Sequence, residues 1–131
     1  MKNNKLKIFL SGGFKTNWQD IIIDKFGDNF IFFNPKEHKL DDPKQYTAWD
    51  VHFVKECDIL FAYMEETNPS GYGLAFELGL AYGLNKTIIL VDEKSPKDKL
   101  FDKYFKITHY PANIVFDSFQ NGMKFLESFS K

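Results

Sequence analysis

The order of apolar runs predicts an α/β protein in which a parallel sheet is covered by helices on both faces. Three observations carry this expectation. Strand-like and helix-like segments alternate along all 131 residues, with no internal repeat and no low-complexity linker. One run, DILFAYM, is apolar without interruption, as a strand buried on both faces must be. Helix start and stop signals punctuate the order, for example Asn17 before and Gly27 after an apolar helical segment. Alternation of this kind leads to a parallel sheet with right-handed crossovers.

LKIFLSGG reads as the first strand, ending in a turn of small residues. NWQDIIIDKFG follows as a helix, and NFIFFNP as a short strand closed by Pro35. KEHKLDDPK is a polar loop, and KQYTAWDVHFVKEC a second helix. DILFAYM is the third strand, and GYGLAFELGLAYGLNK a third helix. TIILVDE is the fourth strand and NIVFDS the fifth. Between them, residues 93–106 are expected to hold at most one helical turn, with DEKSPKDK a solvated loop. FQNGMKFLESF closes the chain as a helix weakened by Gly122. A chain of this length fits one domain, 1–131.

Composition narrows the partners. Hydrophobic residues are 44% of the chain and fifteen residues are Phe, so material for a core is plentiful. The net charge is −1 with no basic stripe, which argues against nucleic acid and anionic membrane as partners and leaves a small molecule. All seventeen basic residues are lysine, so a bound phosphate would meet lysines, hydroxyls or backbone amides rather than a guanidinium fork. The lone Cys57 fits a reducing compartment. The run Ile8–Leu10 after the opening lysines is too short for a leader peptide, and no stretch approaches the roughly 20 apolar residues of a membrane span. A cytoplasmic protein is expected.

Ligands of such sheets bind beyond the carboxyl ends of the strands, where the strand order reverses. Three features converge there. The turn Ser11-Gly12-Gly13 lets backbone amides approach a ligand, with Phe14 placed to lie against a ring; an ordinary glycine turn is the alternative. Asp50 falls on the same helix face as Tyr46, Trp49, Phe53 and Cys57, so it is paired, protonated or lining a cavity. Glu77 is the single charge between Tyr72 and Leu84. Gly73 and Ala81, one turn to either side, leave a gap beside it, and a tertiary lysine partner is the structural alternative. His38, His52 and His109 with Cys57 show no metal-ligand spacing, so neither metal nor cofactor is expected. A phosphoacceptor site would need acidic residues where Ser11-Gly12 and Tyr63-Met64 stand.

IFLSGGF, WDVHFVKECDILFAYM and GYGLAFELGLAYGLNKTIILV together resemble the nucleoside 2-deoxyribosyltransferase family. The resemblance implies a flavodoxin-like three-layer sandwich of about five parallel strands. It also implies transfer of 2-deoxyribose between bases through a covalent glycosyl-Glu77 intermediate, with Asp50 contacting the base and managing its proton. Hydrolysis of the base–sugar bond of nucleoside 5′-monophosphates is the alternative, and a catalytically weak nucleotide-binding module the third possibility. By the same resemblance Ser11, Gly12, Gly13, Phe14, Ser70, Gly71 and Gly73 contact substrate. Asn113 matches an asparagine lent to a neighbour's site, which implies a homo-oligomer. The chain departs from the family pattern at Phe9, where relatives often carry a tyrosine that orients the nucleophile. It departs again at Gly71, where many carry an aspartate that contacts the sugar.

Overall fold

The computed structural model describes residues 5–130; Lys2, part of the lysine-bearing start weighed as a leader, lies outside them. Five parallel strands form one sheet: β1 (Lys7–Gly12), β2 (Ile31–Phe33), β3 (Ile59–Met64), β4 (Thr87–Asp92) and β5 (Ile114–Phe116), in the order β2-β1-β3-β4-β5. Five helices connect and cover them: α1 (Trp18–Phe26), α2 (Pro43–Glu56), α3 (Tyr72–Gly83), α4 (Lys99–His109) and α5 (Phe119–Glu127). This is the flavodoxin-like order, and its reversal falls between β1 and β3.

Strand alternation divides the core in two. Ile8, Leu10, Phe61, Tyr63, Ile89 and Val91 face α1 and α5, where Trp18, Ile22, Met123 and Leu126 fill the space. Phe9, Leu60, Ala62, Met64, Ile88 and Leu90 face the other way, against Val54, Leu74, Leu78, Ala81 and Phe105 of α2, α3 and α4. Every residue of β3 is buried, as its unbroken apolar run requires.

Several elements differ from the sequence expectation. Residues 99–109 form a full helix rather than a single turn, because Asp98 caps it by accepting from Phe101 N at 3.0 Å. The preceding segment is not simply solvated: Asp92 and Ser95 are buried, and Asp92 Oδ1 accepts from the Lys94 and Ser95 amides at 3.0 and 2.9 Å. Gly122 does not weaken α5 so much as seat it, since a Cβ there would run into Val91 Cγ2 on β4. On α2 the burial is shifted from the expected stripe. Val54 alone is fully buried, Trp49, Asp50 and Phe53 are half-buried, and Tyr46 is exposed. Asn17 precedes α1 without a side-chain cap, whereas Gly27 ends it at φ 50°.

Candidate active site

β1 carries Ser11 to the end of the sheet on the same face as Phe9, toward α2 and α3. Its neighbour in register is Ala62, whose methyl group leaves room above the strand. α3 follows Gly71 and runs back over this face, with Leu74, Leu78 and Ala81 in the core and Glu77 buried beside them. Ser11 Oγ donates to Glu77 Oε1 at 2.6 Å, so the two residues meet across 66 positions of sequence. Asp50, on α2, completes the group with its carboxyl against that of Glu77.

The electrostatics follow from burial. Loss of water pushes the Glu77 carboxyl well above the usual glutamate range; the Ser11 hydroxyl pulls it back, and the adjoining Asp50 pushes it up again. Asp50 is also raised by burial, while its contact with Glu77 and the nearby His38 act in the opposite direction. Two carboxyl groups this close hold one proton between them more readily than none or two. No lysine pairs with Glu77 among the described residues.

The glycines of the candidate site have different reasons to be there. Gly12, at φ 151°, passes so close to Tyr63 O and Trp18 Cζ2 that a side chain has no room. Gly13 O accepts from Trp18 Nε1 at 2.9 Å and Gln19 Nε2 at 3.0 Å, which pins the turn to the start of α1. Gly71 has φ 74°, and a Cβ there would meet the end of the Met64 side chain, so any other residue needs a left-handed backbone and a shift of that methyl group. Gly73 has open space around its Cα, consistent with a gap one turn before Glu77. Ala81 does not contribute to that gap, because one turn further on the helix lies flat on the sheet and Ala81 is fully buried. Phe14 stands exposed above the turn. Ser70 and Gly71 line a cleft of about 500 Å³ between α3 and α4, together with Tyr72, Phe101 and Tyr104.

Asn113 is not brought to this group within the chain. Its Oδ1 accepts from Ile88 N at 2.7 Å and its N–H donates to Ile88 O at 3.0 Å, near the amino-terminal end of β4. The sequence reading missed His38, whose Nε2 lies 3.5 Å from Asp50 Oδ1. Nothing in a polar loop without periodicity marks such a residue. It also missed a second buried cluster, in which Asp92 Oδ2 binds His109 Nε2 at 2.7 Å and the Ser95 hydroxyl.

Residues 5–95, which include β1, α2, β3, α3 and β4, match the family model described as nucleoside 2-deoxyribosyltransferase like. The chain belongs to this family. Solved structures of similar fold span nearly the whole of this nucleoside 2-deoxyribosyltransferase-like protein. A 2-desoxiribosyltransferase from Leishmania mexicana superposes with a TM-score of 0.69 at 16% identity, covering 94% of this chain and 97% of its own. A CMP N-glycosidase from Clostridium botulinum gives 0.59 at 21% identity, covering 93% and 98%. A conserved protein from Enterococcus faecalis gives 0.56 at 16% identity, covering 92% and 87%. At these identities the likeness is one of fold. No curated protein matches the sequence. No described helix is long and apolar enough to cross a membrane.

The Ser11 contact bears on one departure from the family pattern. Where relatives often place a tyrosine hydroxyl on strand one, this nucleoside 2-deoxyribosyltransferase-like chain has Phe9, buried in the core. Ser11 lies two residues on, on the same face of β1, and its hydroxyl donates to Glu77.

Proposed function

We propose that this protein makes and breaks N-glycosidic bonds of nucleosides, transferring 2-deoxyribose between bases with Glu77 as nucleophile. The observation that carries the reading is the buried Ser11–Glu77–Asp50 group at the β1/β3 edge. A Glu77 oxygen attacks C1′, and the C1′–N bond breaks with its electron pair passing to the base. Asp50 gives its proton to the departing base, and the sugar is left as an ester of Glu77. An acceptor base then attacks C1′ through a ring nitrogen, the ester C–O bond breaks, and the acceptor's proton returns to Asp50. Splitting the displacement in two retains the anomeric configuration.

The shared proton suits this sequence. With Asp50 protonated and Glu77 ionised, acid and nucleophile are ready in a single state of the pair. Ser11, by donating to Glu77, pulls toward that state, against the deeper burial of Glu77 and its contact with Asp50, which favour the proton on Glu77 until substrate binds. The proposed homo-oligomer has a surface to use: Tyr72 and Phe76 on α3 and Leu100, Tyr104 and Ile107 on α4 expose apolar area next to the helix that carries Glu77. A second copy is the proposed occupant, and light scattering on the purified chain tests it.

Hydrolysis of nucleoside 5′-monophosphates is the second reading. It is favoured by the fold likeness to the CMP N-glycosidase, and by Gly71, which removes a sugar contact associated with transfer. Incubation with deoxynucleosides, nucleotides and an acceptor base separates the two. New nucleoside supports transfer, free base alone supports hydrolysis, and no product in either case leaves a binding module. Glu77→Ala must abolish whichever product forms; unchanged turnover would remove Glu77 from the mechanism.

A further inference from the structure

We infer that His38 is a positioning residue for Asp50, an imidazole locked in one tautomer so that its Nε2–H supports the Asp50 carboxylate when the base has taken its proton. The inference rests on the reading of Asp50 as the proton donor to the leaving base.

The lock is local. Pro35–Glu37 form one helical turn after β2, and the chain then brings Leu40 N within 2.9 Å of His38 Nδ1. A backbone amide can only donate, so Nδ1 is the acceptor and the ring hydrogen sits on Nε2. The ring stands edge-on to Trp49, with centroids 4.8 Å apart, which fixes its plane. Nε2 is thereby aimed at Asp50 Oδ1 at 3.5 Å, an oxygen that is buried and has no other hydrogen-bond partner. Trp49 and Asp50 are consecutive on α2, so the residue that holds the ring also sets the distance to the carboxylate.

At 3.5 Å the hydrogen bond is not formed, and there is no need for it while Asp50 is protonated or shares a proton with Glu77. The need arises when Asp50 becomes an anion next to Glu77, in surroundings with little water. An unpartnered buried carboxylate oxygen is costly at that moment, and a donor already aimed at it lowers the cost only in the charged state. The titratable groups facing Asp50 are His38 from the loop after β2 and Glu77 from α3, with Ser11 acting through Glu77. Asp92 and His109 hold a structural pair at the end of β4; they are not among the groups acting on Asp50.

The decisive measurement does not depend on turnover. The Asp50 side-chain carboxyl is followed by ¹³C NMR as a function of pH in a Glu77→Gln background, which removes the coupled titration. Adding His38→Ala should move the Asp50 midpoint upward, because a donor to the anion is lost. His38→Gln, whose amide N–H can replace Nε2–H, should restore it in part. An unchanged midpoint in His38→Ala overturns the inference.

With Glu77 present, turnover supplies a second readout. His38→Ala should lower kcat on ordinary deoxynucleosides on the order of 10–100-fold, the effect of losing a hydrogen bond to a charged group, with little change in KM. On an N7-methylated purine deoxynucleoside the base is already cationic and leaves as a neutral molecule without taking a proton, so His38→Ala should match wild type. Equal losses on both substrates would make His38 merely structural. A wild type inert on every nucleoside, with the Asp50 midpoint still shifted by His38→Ala, would reject the glycosidic reading and leave the His38–Asp50 interaction standing.

Discussion

Ser11 and Glu77 share a 2.6 Å hydrogen bond that joins the end of β1 to the buried face of α3. Ser11 is fully buried and Glu77 nearly so, so the hydroxyl and the carboxylate satisfy each other where water does not reach. The contact ties the turn after the first strand to the group proposed to attack the sugar.

Replacing Ser11 with alanine leaves Glu77 Oε1 without its donor. Turnover should fall on the order of 10–100-fold, as expected for a hydrogen bond to a charged group. Because the hydroxyl lowers the Glu77 pKa, the acid limb of the kcat/KM profile should also move to higher pH in Ser11→Ala. A pH–rate profile of the two proteins checks both statements, and coincident limbs would count against the Ser11 role.

The same burial predicts a conflict between stability and chemistry. Glu77 has a raised pKa in the fold, so its contribution to stability is present below the ordinary glutamate value and is lost as pH rises through the folded value. Glu77→Gln should abolish activity and yet be more stable than wild type on the alkaline side of that value. Urea unfolding of both proteins from acid to neutral pH tests this; a less stable glutamine variant throughout would contradict it.

Asp92 should behave in the opposite sense. His109 and the Ser95 hydroxyl and amide outweigh burial and lower its pKa, so its contribution to stability is present above the ordinary aspartate value and is lost as pH falls through the folded one. His109→Ala removes the first of these partners and should flatten the acid-side loss of stability. The slope of unfolding free energy against pH, compared between the two proteins, is the readout.

Gly71 is required by backbone and packing together. Alanine there should destabilise by about 1–3 kcal/mol, from a left-handed φ and the collision with Met64 Cε. Gly71→Ala combined with Met64→Ala relieves the collision but not the backbone strain, so a double-mutant cycle should show coupling between the sites. Strict additivity would mean that the two side chains do not meet.

Cys57 should be inert in the folded protein. It is fully buried, its Sγ donates to Val54 O at 3.1 Å, and burial pushes its pKa up to about 11. A disulfide-exchange reagent at mildly alkaline pH should label it only in denaturant, and rapid labelling without denaturant would show that α2 opens near its end.

Much of this was legible in the chain. Strand runs and helix periods reflect which face of an element is dry, and that is a local property of the sequence. Glu77 and Asp50 were legible for the same reason: each is a carboxylate set in apolar surroundings, and such a group needs an explanation wherever it occurs. α4 was expected to be at most one turn although its signals are local: Asp98 caps the Phe101 amide, and Phe101 and Phe105, one turn apart, face the core, while Leu100, Tyr104 and Ile107 stand exposed on its other side and blur that stripe. Ala81 was misplaced as part of a gap because periodicity shows which residues share a face, not how closely that face lies on the sheet.

The sequence by itself determined the alternation of elements, the parallel sheet and the two carboxylates that stand out from their helices. Only the tertiary structure decided what those carboxylates touch. Ser11 reaches Glu77 because the first strand ends under the third helix, and His38 faces Asp50 because a backbone amide and Trp49 fix its ring. Hydrogen bonds act over a few ångströms in space, whereas these partners lie in different segments of the chain, so no local pattern could have paired them.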